Sequence, residues 1–166
     1  MPAQWMSLIN VTASGNSLQK TGGCAGCPDA SAVSQQQGTA LQFTASETGT
    51  LRSLGLGSGG IGAQPGDISF AFRLQGSTAE VREWGIYKAE TPFAPGDVLK
   101  VTASSGGVTY WKNGTAFYTS TSHAGQPLRI QAVLSDANAT LRNIAVMTGS
   151  SAPAVNGSAK RGTRRP

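Results

Sequence analysis

Charge is scarce in this 166-residue chain: Asp, Glu, Lys and Arg together make up 13% of it. Aromatic residues reach only 7%, and there are two cysteines and one histidine. Each shortage excludes something. Few charges and no Glu-, Lys- and Leu-rich heptads argue against a helical protein. One histidine and two cysteines cannot complete a four-ligand zinc site. No run approaches the roughly 18 to 20 apolar residues that cross a bilayer as a helix. Residues 1–15 (MPAQWMSLINVTASG) have neither a basic n-region nor an apolar h-region, so no signal peptide is read there. The expectation is a domain of a longer or processed chain.

Glycine is abundant, with 22 residues, and Ser, Thr and Ala are frequent. That composition suits many short strands joined by Gly, Ser, Asn and Asp turns. The net charge of +5 is not spread evenly. Lys160, Arg161, Arg164 and Arg165 lie in the last seven positions, where none of the 8 acids does. Without them 9 basic residues face 8 acidic ones, a net +1. A nucleic-acid-binding domain carries its basic residues on the fold itself, so specific nucleic-acid binding by the domain is not expected. Residues 1–148 read as one domain and 149–166 as a flexible tail or linker, with contact to an acidic partner as the tail's other use.

Alternation of apolar and polar residues marks the strands. Residues 5–12 (WMSLINVT) read as a first strand, turning at Ser14, Gly15, Asn16 and Ser17. Leu41, Phe43 and Ala45 mark a second strand, and residues 50–56 read as its neighbour. Ile68, Phe70, Phe72 and Leu74 give the clearest alternation, with all four expected inward. Residues 79–83 and 85–89 form a hairpin around Trp84-Gly85; Leu128, Ile130, Ala132 and Leu134 alternate again, and residues 140–147 close the fold. Ten to twelve short strands without a helix-period segment predict an all-β, antiparallel two-sheet sandwich.

Residues 98–120 (VLKVTASSGGVTYWKNGTAFYTS) read as a three-stranded meander. Asn113-Gly114 is a strong hairpin signal, because a type I′ turn needs positive φ at both central residues. "GDVLKV" (96–101), "GGVTYWKNGTAFYTS" (106–120) and "PLRIQAVL" (127–134) together resemble the C-terminal half of SPRY-type and related concanavalin A-like lectin/glucanase sandwiches. The stretch "VTASGNSLQKTGGCAGCPDASAVSQQ" also resembles an extracellular module of multidomain bacterial surface proteins. The resemblance implies a jelly roll that binds glycans, peptides or proteins, at the cell surface or outside the cell.

Glucanases of that group carry an E-x-D-x-(x)-E cluster on one strand, which this chain lacks. Glu80 and Glu83 are its closest acids, and odd spacing puts them on opposite faces of a strand. His123 lies in a loop-like stretch without a G-x-S-x-G elbow. Residues 57–62 (GSGGIG) lack the G-K-[ST] ending of a phosphate loop. No catalytic residue, metal site or cofactor is expected; calcium could use Asp67, Asp97 or Asp136, but no D-x-D-x-D pattern is present. Cys24 and Cys27, a CxxC in a Gly-rich loop, are the candidate disulfide of an extracellular protein.

Candidate ligand contacts are Trp111, Trp84, Tyr87 and Asn113, because aromatic faces stack on sugar rings and offer flat contact area at low entropic cost. Parity separates neighbours here: Tyr110 goes with Val108 into the core, and Trp111 goes outward with Thr109 and Asn113. The expected function is a non-catalytic carbohydrate-binding module. A structural or adhesive subunit contacting neighbouring proteins is the alternative, and a glycan-cleaving enzyme is a weaker one.

Overall fold

The computed structural model describes residues 1–59, 64–122 and 127–147. His123, residues 60–62 of the 57–62 stretch and the tail from 149 lie outside the described residues. Fourteen strands form, with one short 3-10 turn at Pro65–Asp67 and no α-helix among the described residues. They make two seven-stranded sheets. Sheet I runs in spatial order β1 (Trp5–Ile9), β4 (Ala30–Gly38), β13 (Leu128–Leu134), β6 (Arg52–Gly57), β7 (Phe70–Gln75), β8 (Thr78–Glu83) and β9 (Ile86–Pro92). Sheet II runs β12 (Thr115–Ser120), β11 (Gly107–Lys112), β10 (Val98–Ser104), β5 (Ala40–Thr44), β14 (Thr140–Met147), β3 (Ser17–Lys20) and β2 (Val11–Ser14). Neighbouring strands pair antiparallel throughout both sheets.

The core lies between the sheets, where alternate residues of each strand meet. Leu54, Leu56, Phe72 and Ile130 from sheet I face Leu41, Phe43, Leu99 and Tyr110 from sheet II, all fully buried. Phe72 is the pivot: its ring meets Phe43 edge-on at 5.8 Å and Tyr110 edge-on at 5.5 Å, the offset geometry that aromatic quadrupoles favour. A buried guanidinium crosses the interior near one end. Arg52 donates to the carbonyls of Thr50 (2.8 Å), Glu47 (2.7 Å) and Thr140 (3.1 Å), tying sheet I to β14. At the other end Glu83 accepts from Tyr110 and Ser120, both at 2.9 Å, and from Ser122 at 3.2 Å. Burial and the adjacent Glu83 carboxylate push the Tyr110 phenol far above its ordinary range, so it stays a donor.

Several expectations are corrected by this architecture. The run 5–12 is two strands: Asn10, at φ 56°, breaks it, sending β1 to sheet I and β2 to sheet II. Strand β4 was not expected, because its Gln-rich second half masks its pattern. The segment after residue 50 does not neighbour β5; β6 lies in the opposite sheet and packs across the core from it. Ile68 precedes β7 and departs from the Phe70, Phe72, Leu74 face, joining Ala71 and Val133 in a small separate cluster. Gly55 permits this, since a Cβ there would lie 2.9 Å from Ile68 Cγ2 and nearer still to the β7 backbone. The 98–120 meander and the hairpin around Trp84-Gly85 form as read.

Candidate functional site

The outer face of β7, β8 and β9 presents the most developed arrangement of polar and aromatic groups on sheet I. Trp84 and Gly85 both adopt positive φ, 53° and 81°, as a two-residue I′-type turn requires. The turn is braced from outside: Trp84 N–H donates to the carbonyls of Ile68 and Ser69, and Gly66 packs against Gly85. The side chains beyond it therefore stand out on a fixed support. Trp84 is 58% exposed, Ile86 61% and Tyr87 46%.

Down the same face, register sets charged residues in rows. Arg73, Glu80 and Glu90 are cross-strand partners on β7, β8 and β9; Arg82 pairs with Tyr87 one row nearer the tip. Glu80 Oε1 accepts from Arg82 at 2.7 and 2.9 Å and from Arg73 at 3.4 Å. Arg82 stacks over the Tyr87 ring, 5.6 Å from its centroid, and Tyr87 donates its hydroxyl to Glu90 at 2.8 Å. That bond raises the Tyr87 phenol above its ordinary value, so the ring is held in place as a neutral donor. Arg73, Gln75, Thr78, Glu80 and Glu90 line a shallow groove of about 200 Å³ beside these aromatics. Glu90's carboxylate meets no cation there among the described residues, and both guanidinium groups retain free N–H donors.

The four sequence-predicted contacts fall into two pairs. Tyr87 belongs to this face, and Trp84 stands exposed at the turn that joins β8 to β9. Trp111 and Asn113 lie in sheet II, around the β11–β12 turn. Trp111 is half-buried on the outer side, donating Nε1–H to Thr102 at 3.1 Å while the Lys100 ammonium sits 4.6 Å over its ring. Asn113, at φ 51°, accepts from Val98 N–H and donates to Asp97, so its amide serves the turn. The sequence reading missed Arg73, Arg82 and Glu90 as site residues. Counting outward from the Trp84-Gly85 turn would set Glu80 opposite Ala89, but a bulge at Val81/Arg82 shifts the register and brings Glu90 opposite instead. Glu80 and Glu83 do point to opposite faces, one into this groove and one into the core.

The remaining candidates are taken up by local structure. Cys24 and Cys27 are joined as a disulfide, with Cα atoms 5.3 Å apart. Their loop wraps the buried Lys20 ammonium, which donates to the carbonyls of Cys24 (2.6 Å), Cys27 (2.8 Å) and Ser135 (2.7 Å) and to Asp29 (2.8 Å). Lys20, with Cys24's N–H, holds the Asp29 carboxyl below its ordinary value. Asp67, Asp97 and Asp136 each accept a backbone N–H at a turn, from Gln64, Ala94 and Leu51 respectively.

No protein-family model and no curated protein matches this chain. Solved structures do match in fold. The carbohydrate recognition domain of Emp46p, in its metal-free form, superposes with a TM-score of 0.61 at 12% identity, covering 89% of each chain. The PSpry domain of TRIM65 gives 0.58 at 16%, covering 80% of this chain and 82% of that one. The alginate lyase AlgAT5, from polysaccharide lyase family 7, gives 0.54 at 12%, covering 86% and 82%. The fold is the concanavalin A-like β-sandwich. At these identities the likeness carries the architecture, and function rests on this chain's own residues.

Proposed function

We propose that this chain is a non-catalytic carbohydrate-recognition module, at the cell surface or outside the cell, and that it binds through the outer face of β7, β8 and β9. The observation that carries this is a pair of exposed aromatics, Trp84 at the β8–β9 turn and Tyr87 bonded to Glu90, on the hairpin whose strands carry a groove of charged and polar groups. A saccharide ring offers C–H faces for the aromatics and hydroxyls for carboxylate and guanidinium partners. Glu90 supplies acceptors, while Arg73 and Gln75 supply donors. The fold is one that a carbohydrate recognition domain also uses.

The juxtaposition of Glu80 with Glu90 favours a second reading, a glycan-cleaving enzyme, since hydrolysis uses two carboxyls across one bond. Hydrolysis also needs a proton donor on one of them. Glu80 Oε1 instead accepts from two guanidinium groups and Glu90 Oε1 accepts from Tyr87, so the bonded oxygen of each serves a partner within the sheet. Recognition is the stronger reading.

A glycan array followed by calorimetry tests it. Trp84→Ala is expected to weaken the best neutral glycan by about tenfold or more, as loss of a central aromatic contact does. No binding above background to any polysaccharide, together with self-assembly in light scattering, would replace it with the structural-subunit reading. Release of reducing ends that Glu90→Gln abolishes would establish the enzyme.

A further inference from the structure

We infer that the outer side of sheet II holds a second saccharide site, built for an anionic group, carboxylate or sulfate ester, on the sugar. A groove of about 420 Å³ runs over β2, β3 and β14, lined by Thr12, Ser14, Ser17, Gln19, Arg142 and Asn143 among others. None of the described residues that line it is acidic. Among the described residues the Arg142 guanidinium makes no hydrogen bond and no ion pair, which leaves five N–H donors facing open space. The carboxylate tied to the groove's floor is Glu47, which accepts from Thr140 N–H at 2.8 Å and from the hydroxyls of Ser46, Thr50 and Thr140, with the Arg52 guanidinium beside it. Glu47 is thus committed to Ser46, Thr50 and Thr140, and forms no ion pair with Arg142 among the described residues.

Backbone geometry aims this site. Strict alternation along β14 would turn Asn143 into the core. Asn143 instead takes φ 52° within a bulge, between the pairs Arg142–Thr44 and Ala145–Gln42, so Arg142 and Asn143 are both exposed and Ile144 returns inward. Bulges re-aim side chains in this way, and a non-glycine residue at positive φ marks a position held by its surroundings. Asn143 is fixed by Ser17 Oγ, which accepts its N–H, and by Thr44, which accepts from its side-chain amide at 3.3 Å. Ser17 keeps its own O–H to donate, Ser14 and Gln19 make no side-chain hydrogen bond among the described residues, and all three line the same groove as Arg142. Donors outnumber acceptors, and the one charge is positive. A carboxylate or sulfate oxygen pair fits the guanidinium fork, and the hydroxyls fit the sugar ring.

The test is an NMR titration of the full chain with three oligosaccharides of equal length: oligogalacturonate, a sulfated neutral sugar and its unsulfated parent. Amide shifts at Ser14, Ser17, Gln19 and Asn143 are expected with one or both acidic sugars, weakening with added salt, and absent with the parent. Which acidic sugar acts identifies the group. Arg142→Gln should weaken this binding roughly ten- to hundredfold. Asn143→Gly keeps the backbone conformation and checks folding, and should weaken binding more modestly. Trp84→Ala should leave it unchanged, which separates this site from the β7–β9 face. No shifts at those four amides, or shifts that Arg142→Gln leaves intact because the basic residues at 160–165 do the binding, would overturn the proposal.

Discussion

Gln131 sits in the middle of sheet I, 1% exposed, with neither its amide oxygen nor its amide nitrogen bonded among the described residues. Gly57 makes room for it, since a Cβ there would collide with Oε1. An unbonded buried amide costs about 1–3 kcal/mol. Gln131→Met, similar in volume and free of that demand, is expected to stabilise the fold by about 1 kcal/mol, read as a higher urea midpoint at unchanged slope. Glu47 is the opposite case. Burial alone would raise its carboxyl, but hydrogen bonds from Ser46, Thr140, Thr50 and the Thr140 N–H together outweigh it, and the net position is below the ordinary 4.5. A carboxyl depressed in the folded state stabilises above its unfolded value and loses that contribution as pH falls through the folded one. Melting temperature should therefore drop as the medium is acidified below 4.5, and Glu47→Gln should flatten that drop while lowering stability at neutral pH.

Hairpins were the legible elements, because positive-φ turn residues announce them. Trp84-Gly85 and Asn113-Gly114 both turn where the sequence indicates, and the strands flanking each pair as expected. Gly85→Val should cost about 1–2 kcal/mol, since φ 81° is strained for a branched residue and Gly66 Cα would lie 3.1 Å from the new Cβ. Calorimetric unfolding of that variant measures it, and loss of glycan binding with a folded core would show that the turn's brace matters to the face. Parity also separated Tyr110, fully buried, from Trp111, turned outward. What parity could not reveal is a bulge. The extra residue in β9 decides that Glu90 rather than Ala89 stands opposite Glu80, and the one in β14 decides that Asn143 joins Arg142 outside. Nothing in residue type marks either shift. Asn10 was similarly opaque, because WMSLINVT reads continuously through the position where the chain changes sheet.

At the scale of the molecule, both outer faces carry a groove, and the two differ in character: paired charges beside Tyr87 on sheet I, and on sheet II hydroxyls around Arg142, which makes no ion pair among the described residues. The sandwich itself was predictable from alternation and turn spacing. Its strand order was not, since β13 inserts between β4 and β6, and β14 between β5 and β3, far from their chain neighbours. The two rims of sheet I also differ. β9 carries Lys88, Glu90 and Pro92, residues that discourage another strand from docking there. β1, the opposite rim, is WMSLI, without a charge, and leaves Met6 and Leu8 exposed at 50% and 42%. An unguarded strand edge of this kind is a template for stray pairing between molecules, so colloidal behaviour, rather than melting temperature, should limit the protein in concentrated solution. Leu8→Lys is expected to raise the concentration at which light scattering first grows while leaving unfolding unchanged.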